Sequence, residues 1–251
     1  MSGHSKWSKI KTFKGAIDAK RGKIFSKLGK EITIAAKLGG GDPDLNPRLR
    51  MVLLRCRAAS MPTDNIERAI KRGSGDLEGE VFEESTFEGY APGGVALIVQ
   101  VLTNNRNRTA AELRHVFGRF GASFAGQGSV LRSFQRKGQI LVDGSKTTED
   151  KLMEIVLEAG GEDIKSEGDH FEIITDPAQF MNVVDALNKV AIPMESSEIA
   201  LLPDLSVPVS DKAKASSLVK FVEELEDLDD VQNVYSNFDI DPATLEAIQK
   251  A

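Results

Sequence analysis

Cysteine is all but missing from this 251-residue chain: Cys56 stands alone, so no disulfide can close within it. A reducing, cytoplasmic setting is the implication. Histidine is nearly as scarce, with His4, His115 and His170 only, and together with one cysteine these make no zinc set, so neither a metal nor another cofactor is expected. None of the three histidines stands near a Ser, a Cys or a paired carboxylate at a catalytic spacing, and the sequence gives no support to an enzyme. Long apolar runs are absent too. The N-terminus is basic like the start of a signal peptide, but Lys and Asp residues interrupt it before any apolar stretch develops. Neither export nor membrane insertion is expected. The glycine clusters at 39–41 and 93–94 match neither G-x-x-x-x-G-K-[ST] nor G-x-G-x-x-G, and turns account for them better than a nucleotide loop.

What the chain does have is unevenly distributed charge. Residues 1–75 hold 17 Lys and Arg against 6 Asp and Glu, a net of +11. Residues 141–251 hold 8 against 25, a net of −17, and the 65 residues between them balance. The overall −6 conceals this asymmetry, which points to a polyanionic partner for the basic part, and nucleic acid is the inferred one.

The periodicities predict an α+β, multi-domain fold. Residues 1–14 have Lys6, Lys9, Lys11 and Lys14 with Trp7 and Phe13 between them, too few apolar positions for a packed helix, so a tail or docked arm is expected. From about Ala16 to Leu38, Ile24, Leu28, Ile32 and Ala35 recur at helical spacing, with Phe25 and Ala36 widening the stripe. Lys23, Lys27, Lys30 and Lys37 fall in one sector away from it, a lysine face that suits phosphates. A second helix should open at Pro47 and run to about Ser60 on the stripe Leu49, Val52, Leu53 and Cys56, where the thiol is packed rather than nucleophilic. A third should follow Pro62, with Thr63 or Asp64 as N-cap, Lys71 and Arg72 in its last turn, and Gly73 just beyond.

The acid-rich residues 76–84 read as a linker. A strand over 95–102, a helix over 109–120 with Thr109 and Glu112 as a capping box, and a strand over 129–134 make a βαβ unit. Residues 140–202 then spell βαββαβ, the ferredoxin-like order. A helix over 211–225 and a strand over 231–235 could be the missing half of the first unit, which makes the βαββαβ module an insertion. The expected domains are thus a basic three-helix domain, 1–78, a discontinuous α/β domain, 79–135 with 204–251, and an inserted ferredoxin-like domain, 136–203. No dimer seam is evident, and a monomer is expected.

Three stretches are candidates for function, each with a plainer alternative. In the tail, lysines can neutralise phosphates and Trp7 can stack on a base, or Trp7 can instead anchor the tail on the helical domain while the lysines stay solvated. The segment TNNRNRT, residues 103–109, lies where a strand meets a helix, a place that favours anions, and Arg106 and Arg108 add charge. Equally, its Asn side chains can satisfy the backbone and its Arg side chains can pair with local acids. The acidic run 223–230 is in the plainer reading just a solvated helix end, but acids at a helix C-terminus are mildly unfavourable, so it could instead repel nucleic acid and orient the basic face, or carry a protein partner.

Several segments resemble the YebC/PmpR family: GHSKW (3–7), DAKRGKIFSKL (18–28), MPTDNIERAIKRG (61–73), EGYAPGGVALIV (88–99), TNNRNRTA (103–110) and DLDDVQNVYSNFDI (227–240). The resemblance implies an N-terminal helical domain and two α/β domains, one interrupted by the other. It also implies a regulator of gene expression, since bacterial members are described as DNA-binding transcriptional regulators. The mitochondrial relative is a translational activator, and some bacterial members are described as ribosome-associated factors relieving stalls at proline runs, which implies ribosomal RNA or tRNA as the alternative partner. Carried onto this chain, the matching positions are His4, Lys6 and Trp7 in the tail, Lys20, Arg21 and Lys23 in the first helix, and Arg106 and Arg108. The lysine face adds Lys27 and Lys30, and the tail adds Lys9, Lys11 and Lys14.

Overall fold

The computed structural model describes residues 17–79 and 81–249. Helix α1 spans Ile17–Gly39 and stops where Gly40 takes a positive φ of 84°, a conformation that favours glycine. Leu28, Ile32 and Ala35 are buried with Phe25 packed beside them, whereas Ile24 is 44% exposed. The angle of the stripe is right, but its burial begins only after Ile24 among the described side chains. Helix α2, Pro47–Ala58, begins at Asn46, whose Oδ1 accepts from the Leu49 N–H at 3.1 Å while its Nδ2 donates to the carbonyls of Ala35 and Gly40. One buried amide therefore splices the end of α1 to the start of α2. Helix α3, Thr63–Ser74, starts without a side-chain cap, so Thr63 and Asp64 are helical residues rather than the expected N-cap. Nor is Gly73 the stop. It lies inside α3, where a Cβ would collide with the Thr33 carbonyl and with Ala36 Cβ of α1, and Gly75, at φ 88°, ends the helix instead.

Strands β1, Glu83–Ala91, and β2, Val95–Thr103, form an antiparallel hairpin turned by Gly93 and Gly94, both at positive φ. β1 takes in two residues of the expected linker, because its polar sequence EESTFEGYA has no apolar run to announce a strand. Helix α4, Arg106–Arg119, begins three residues earlier than expected, capped by Asn105, whose side chain accepts from the Arg108 N–H. The Thr109–Glu112 capping box is thereby replaced: Thr109 is fully buried. A two-residue strand β3, Ser123–Phe124, pairs with β1, and the expected strand over 129–134 is a turn followed by a 3-10 turn at Leu131–Ser133. No parallel βαβ crossover forms, because β2 runs antiparallel to its neighbours.

Residues 132–206 make a compact unit. Its elements are β4 (Phe134–Asp143), α5 (Glu149–Glu158), β5 (Gly161–Glu167), β6 (His170–Thr175), α6 (Phe180–Lys189) and β7 (Met194–Pro203). The sheet order is β5-β6-β4-β7 with every neighbouring pair antiparallel, the ferredoxin-like arrangement that the βαββαβ order predicts. Ile140, Val142 and Ile173 of the sheet are fully buried, as are Leu152, Val156, Val183 and Leu187 of the two helices.

The chain then returns to the other compact unit, which holds both its earlier elements and residues 207–249. β8 (Val207–Val209) leads to α7 (Lys212–Asp227), β9 (Val231–Ser236), β10 (Phe238–Ile240) and α8 (Pro242–Gln249). β9 pairs antiparallel with β2, completing a sheet of order β3-β1-β2-β9, and β8 and β10 form a small parallel pair. α4 and α7 meet through aromatic rings: Phe221 lies edge-on to Phe117 at 5.1 Å and stacks on Phe120 at 5.0 Å.

Candidate nucleic-acid interface

Three of the four lysines on the predicted face of α1 do not stand open. Lys23 Nζ donates to the Asp227 carbonyl at 3.1 Å, Lys27 Nζ to the Glu226 carbonyl at 2.5 Å, and Lys30 Nζ to the Asp229 carbonyl at 3.0 Å. These carbonyls lie at and just beyond the end of α7, where the last C=O groups of a helix lack internal partners and carry its negative pole. Three lysines at helical spacing thus cap another helix. This also answers why acids crowd that terminus: Asp227 Oδ1 lies 3.6 Å from Lys23 Nζ, and the lysines offset the unfavourable charge.

Asp230 is where four elements meet. Its Oδ1 accepts from Lys30 Nζ at 2.8 Å, and its Oδ2 accepts from Thr103 Oγ1 at 3.1 Å, Thr109 Oγ1 at 2.8 Å and Arg108 Nη2 at 2.6 Å. Its backbone carbonyl accepts from the Leu102 N–H. Burial by itself raises this carboxyl's pKa, but the hydrogen bonds from Lys30, Arg108 and Thr109 outweigh it and hold the group well below the usual carboxylate range. A second buried carboxylate, Glu88, accepts from the backbone N–H groups of Gly128, Val130 and Leu131. Burial again opposes those bonds and again loses, leaving its pKa lowered.

The segment 103–109 follows the plainer alternative in most of its side chains. Asn105 caps α4, Arg108 turns to Asp230 and to Asn104 Oδ1, and Thr109 Oγ1 lies 2.8 Å from Thr103 Oγ1 while donating to Asp230. Arg106 is exposed, with no ion pair among the described residues. Arg21 is exposed, its guanidinium 5.7 Å from the Phe25 ring centroid. Lys20 lies in the first turn of α1, and its side chain is not among those described; His4, Lys6, Trp7, Lys9, Lys11 and Lys14 lie outside the described residues.

Subtracting the cations that hold the structure changes which ones are left. Arg48 pairs with Glu84, Arg50 donates to the carbonyls of Pro43 and Asp44, and Arg55 pairs with Glu31. In α1 to α3 the exposed cations with no carboxylate partner among the described residues are Arg21, Lys37, Arg57, Arg68, Lys71 and Arg72. Three of these six are on α3, where the sequence offers Lys71 and Arg72 only as compensation for the helix dipole and does not single out Arg68. The spacing of Arg68 and Arg72, four residues apart, is the signal that could have placed them on one face.

No reaction centre emerges among the described residues. Burial pushes the Cys56 thiol up to about 11, so it is no nucleophile at neutral pH. Of the two described histidines, His170 lies 2.5 Å from Asp169 Oδ1 and 3.0 Å from Glu195 Oε1, with no hydroxyl or thiol among its partners. The described residues contain no cluster of three or more His, Cys, Asp or Glu fit to hold a metal, and no helix long and apolar enough to cross a membrane.

Comparison with known proteins adds the family. Residues 5–76 match the TACO1/YebC protein N-terminal domain, and residues 82–238 match the TACO1/YebC second and third domain. The chain is 50% identical over 248 residues to a protein of Syntrophobacter fumaroxidans, covering 99% of this chain and 100% of that one. It is 52% identical over 250 residues to one of Solibacter usitatus, covering 100% of each. Both relatives carry the name "Probable transcriptional regulatory protein". The crystal structure of a conserved hypothetical protein from Aquifex aeolicus superposes with a TM-score of 0.81 at 45% identity, covering 90% of this chain and 93% of that one.

Proposed function

Since the chain belongs to the TACO1/YebC family, we propose that it is a non-enzymatic, cytoplasmic regulator of gene expression that acts by binding nucleic acid, with DNA and transcription as the first reading. The observation that carries this is the set of uncompensated cations on the N-terminal helices. Their charge remains after the ion pairs among the described residues have been subtracted, and the basic tail precedes them in the chain. The contact surface we assign comprises His4, Lys6, Trp7, Lys9, Lys11, Lys14, Lys20, Arg21 and Arg106, joined by Arg57, Arg68, Lys71 and Arg72. Lys23, whose side chain is 47% exposed, joins them at the edge. Lys27, Lys30 and Arg108 hold the fold.

The same reading carries the three-domain division, with boundaries near 78, 135 and 204, and a monomeric protein. One observation favours the ribosomal alternative. α3 packs along α1, not across α2, so the pair α2–α3 is not the mutually packed unit that a helix-turn-helix inserts into a major groove. Structured RNA, read by shape and backbone, asks for no such unit.

The test is co-sedimentation with ribosomes from lysate at moderate salt, beside binding to promoter and random duplex across a salt series. A promoter bound far more tightly than random duplex supports the transcriptional reading. Retention on ribosomes that is lost in the Lys6→Glu/Lys9→Glu variant supports the translational one, and a protein that binds neither overturns both.

A further inference from the structure

α1 and α3 enclose an open cavity of about 510 Å³. Phe25, Gly29 and Lys30 line it from α1, and Asn65, Arg68 and Arg72 line it from α3. Phe82, from the segment after α3, supplies a second ring. The volume is that of a small-ligand site, not of a packing defect. Its charge is lopsided as well, since Glu78 is the one acid among the described lining residues.

The lining specifies a ligand chemistry. Arg68 and Arg72 stand one helical turn apart with no carboxylate partner among the described residues, and two guanidinium charges on one face suit a phosphate. Arg68 is held in place: its Nη2 donates to Asn65 Oδ1 at 3.1 Å and its Nε to the Asp64 carbonyl at 3.3 Å. Each ring already carries a cation, Lys30 Nζ at 5.5 Å from the Phe82 centroid and Arg21 at 5.7 Å from that of Phe25. Rings interleaved with cations are the means by which proteins hold unpaired bases along a phosphate chain. Free phosphate would use the arginines and leave the rings idle, and an apolar ligand would bury the arginines without a partner.

We propose that the cavity between α1 and α3 receives one unstacked nucleotide of a single-stranded nucleic acid, with its phosphate on Arg68 and Arg72 and its base against Phe82 and Phe25. The proposal rests on the nucleic-acid reading above and gives that surface a defined subsite.

Gly29 provides a test that keeps the fold. A Cβ at Gly29 would meet nothing within 4 Å, so Gly29→Leu projects into open space, and leucine favours a helix interior over glycine. Gly22→Leu is the matched control, on the same helix, equally open and away from the cavity. With the full chain and a fluorescent single-stranded oligouridine, Gly29→Leu should weaken binding about tenfold, the scale of unstacking one base from an aromatic ring. Gly22→Leu should bind as the native chain does. Arg68→Gln and Arg72→Gln should weaken binding and flatten the salt slope by about 0.7 for each phosphate left without its cation.

If Gly29→Leu and the arginine variants bind normally while Lys6→Glu/Lys9→Glu fails, the cavity is excluded and the nucleic-acid reading survives. A native chain that binds no polyanion at all removes both. Inorganic phosphate competing as well as uridine monophosphate would overturn the site as one for a nucleotide.

Discussion

At the scale of the residue, Asp230 ties basic and acidic parts of the chain together, since Lys30 and Arg108 both donate to its carboxylate. The sequence shows it only as one acid in a run of six, and its partners lie between 121 and 200 residues away along the chain. No local pattern encodes such a convergence. Removing the carboxylate should be costly because Lys30, its side chain 15% exposed, would then sit half-buried without a counter-charge. Asp230→Ala should lose about 3–5 kcal/mol in urea unfolding, the range for breaking a buried pair. The pH dependence has a definite sign. The folded-state pKa is depressed below the unfolded value of about 3.9, so this stabilisation is present above about pH 4 and lost as pH falls further, towards the folded pKa. Unfolding curves collected down the acid range should converge for native and Asp230→Asn proteins, and parallel curves would deny Asp230 that role. Glu88→Gln is a related case. One acceptor becomes an NH₂ group facing the N–H donors of Gly128, Val130 and Leu131, and about 1–3 kcal/mol should be lost.

Elements are legible in the sequence where a periodicity meets a partner. α1, α2 and the whole βαββαβ module follow from apolar spacing because each has one face against a core, and spacing is what a core imposes. β1 escapes such a reading, since a strand with charge on much of its length shows no alternation. The false capping box has the right letters, but tertiary hydrogen bonds claim Thr109, and Asn105 takes the cap. Glycine misleads for a related reason: sequence places a glycine near a helix end but does not say whether backbone conformation or a close approach requires it. Gly73 and Gly29 separate the two cases. Gly73→Ala puts a methyl into the Thr33 carbonyl and Ala36, and about 1–3 kcal/mol of overpacking should outweigh the helix propensity gained. Gly29→Ala meets nothing and should stabilise by about 0.5–1 kcal/mol. Opposite signs from the same substitution, read by urea titration, would confirm that α1 and α3 touch at Gly73 and part at Gly29.

Across the whole molecule, the charge asymmetry is legible from composition, but its use is not. Counting charges predicts a basic end and an acidic end and leaves open whether they face a partner or each other. Some of them face each other: Lys23, Lys27 and Lys30 of α1 are taken up by the end of α7, while cations on α3 and at the start of α1 have no carboxylate partner among the described residues. The acidic run therefore has a structural duty, and whether it also screens the neighbouring cations from non-specific polyanions can be tested separately. Lys23 donates to a backbone carbonyl as well as facing the Asp227 carboxylate, so neutralising that side chain leaves the carbonyl bond in place. Asp227→Asn with Asp229→Asn should keep the fold and remove two negative charges beside Lys23 and Lys30. Affinity for random duplex should then rise, with the salt slope steepening by up to about 0.9 for each further phosphate neutralised. Unchanged binding and slope, with stability intact, would confine the acidic run to capping α7.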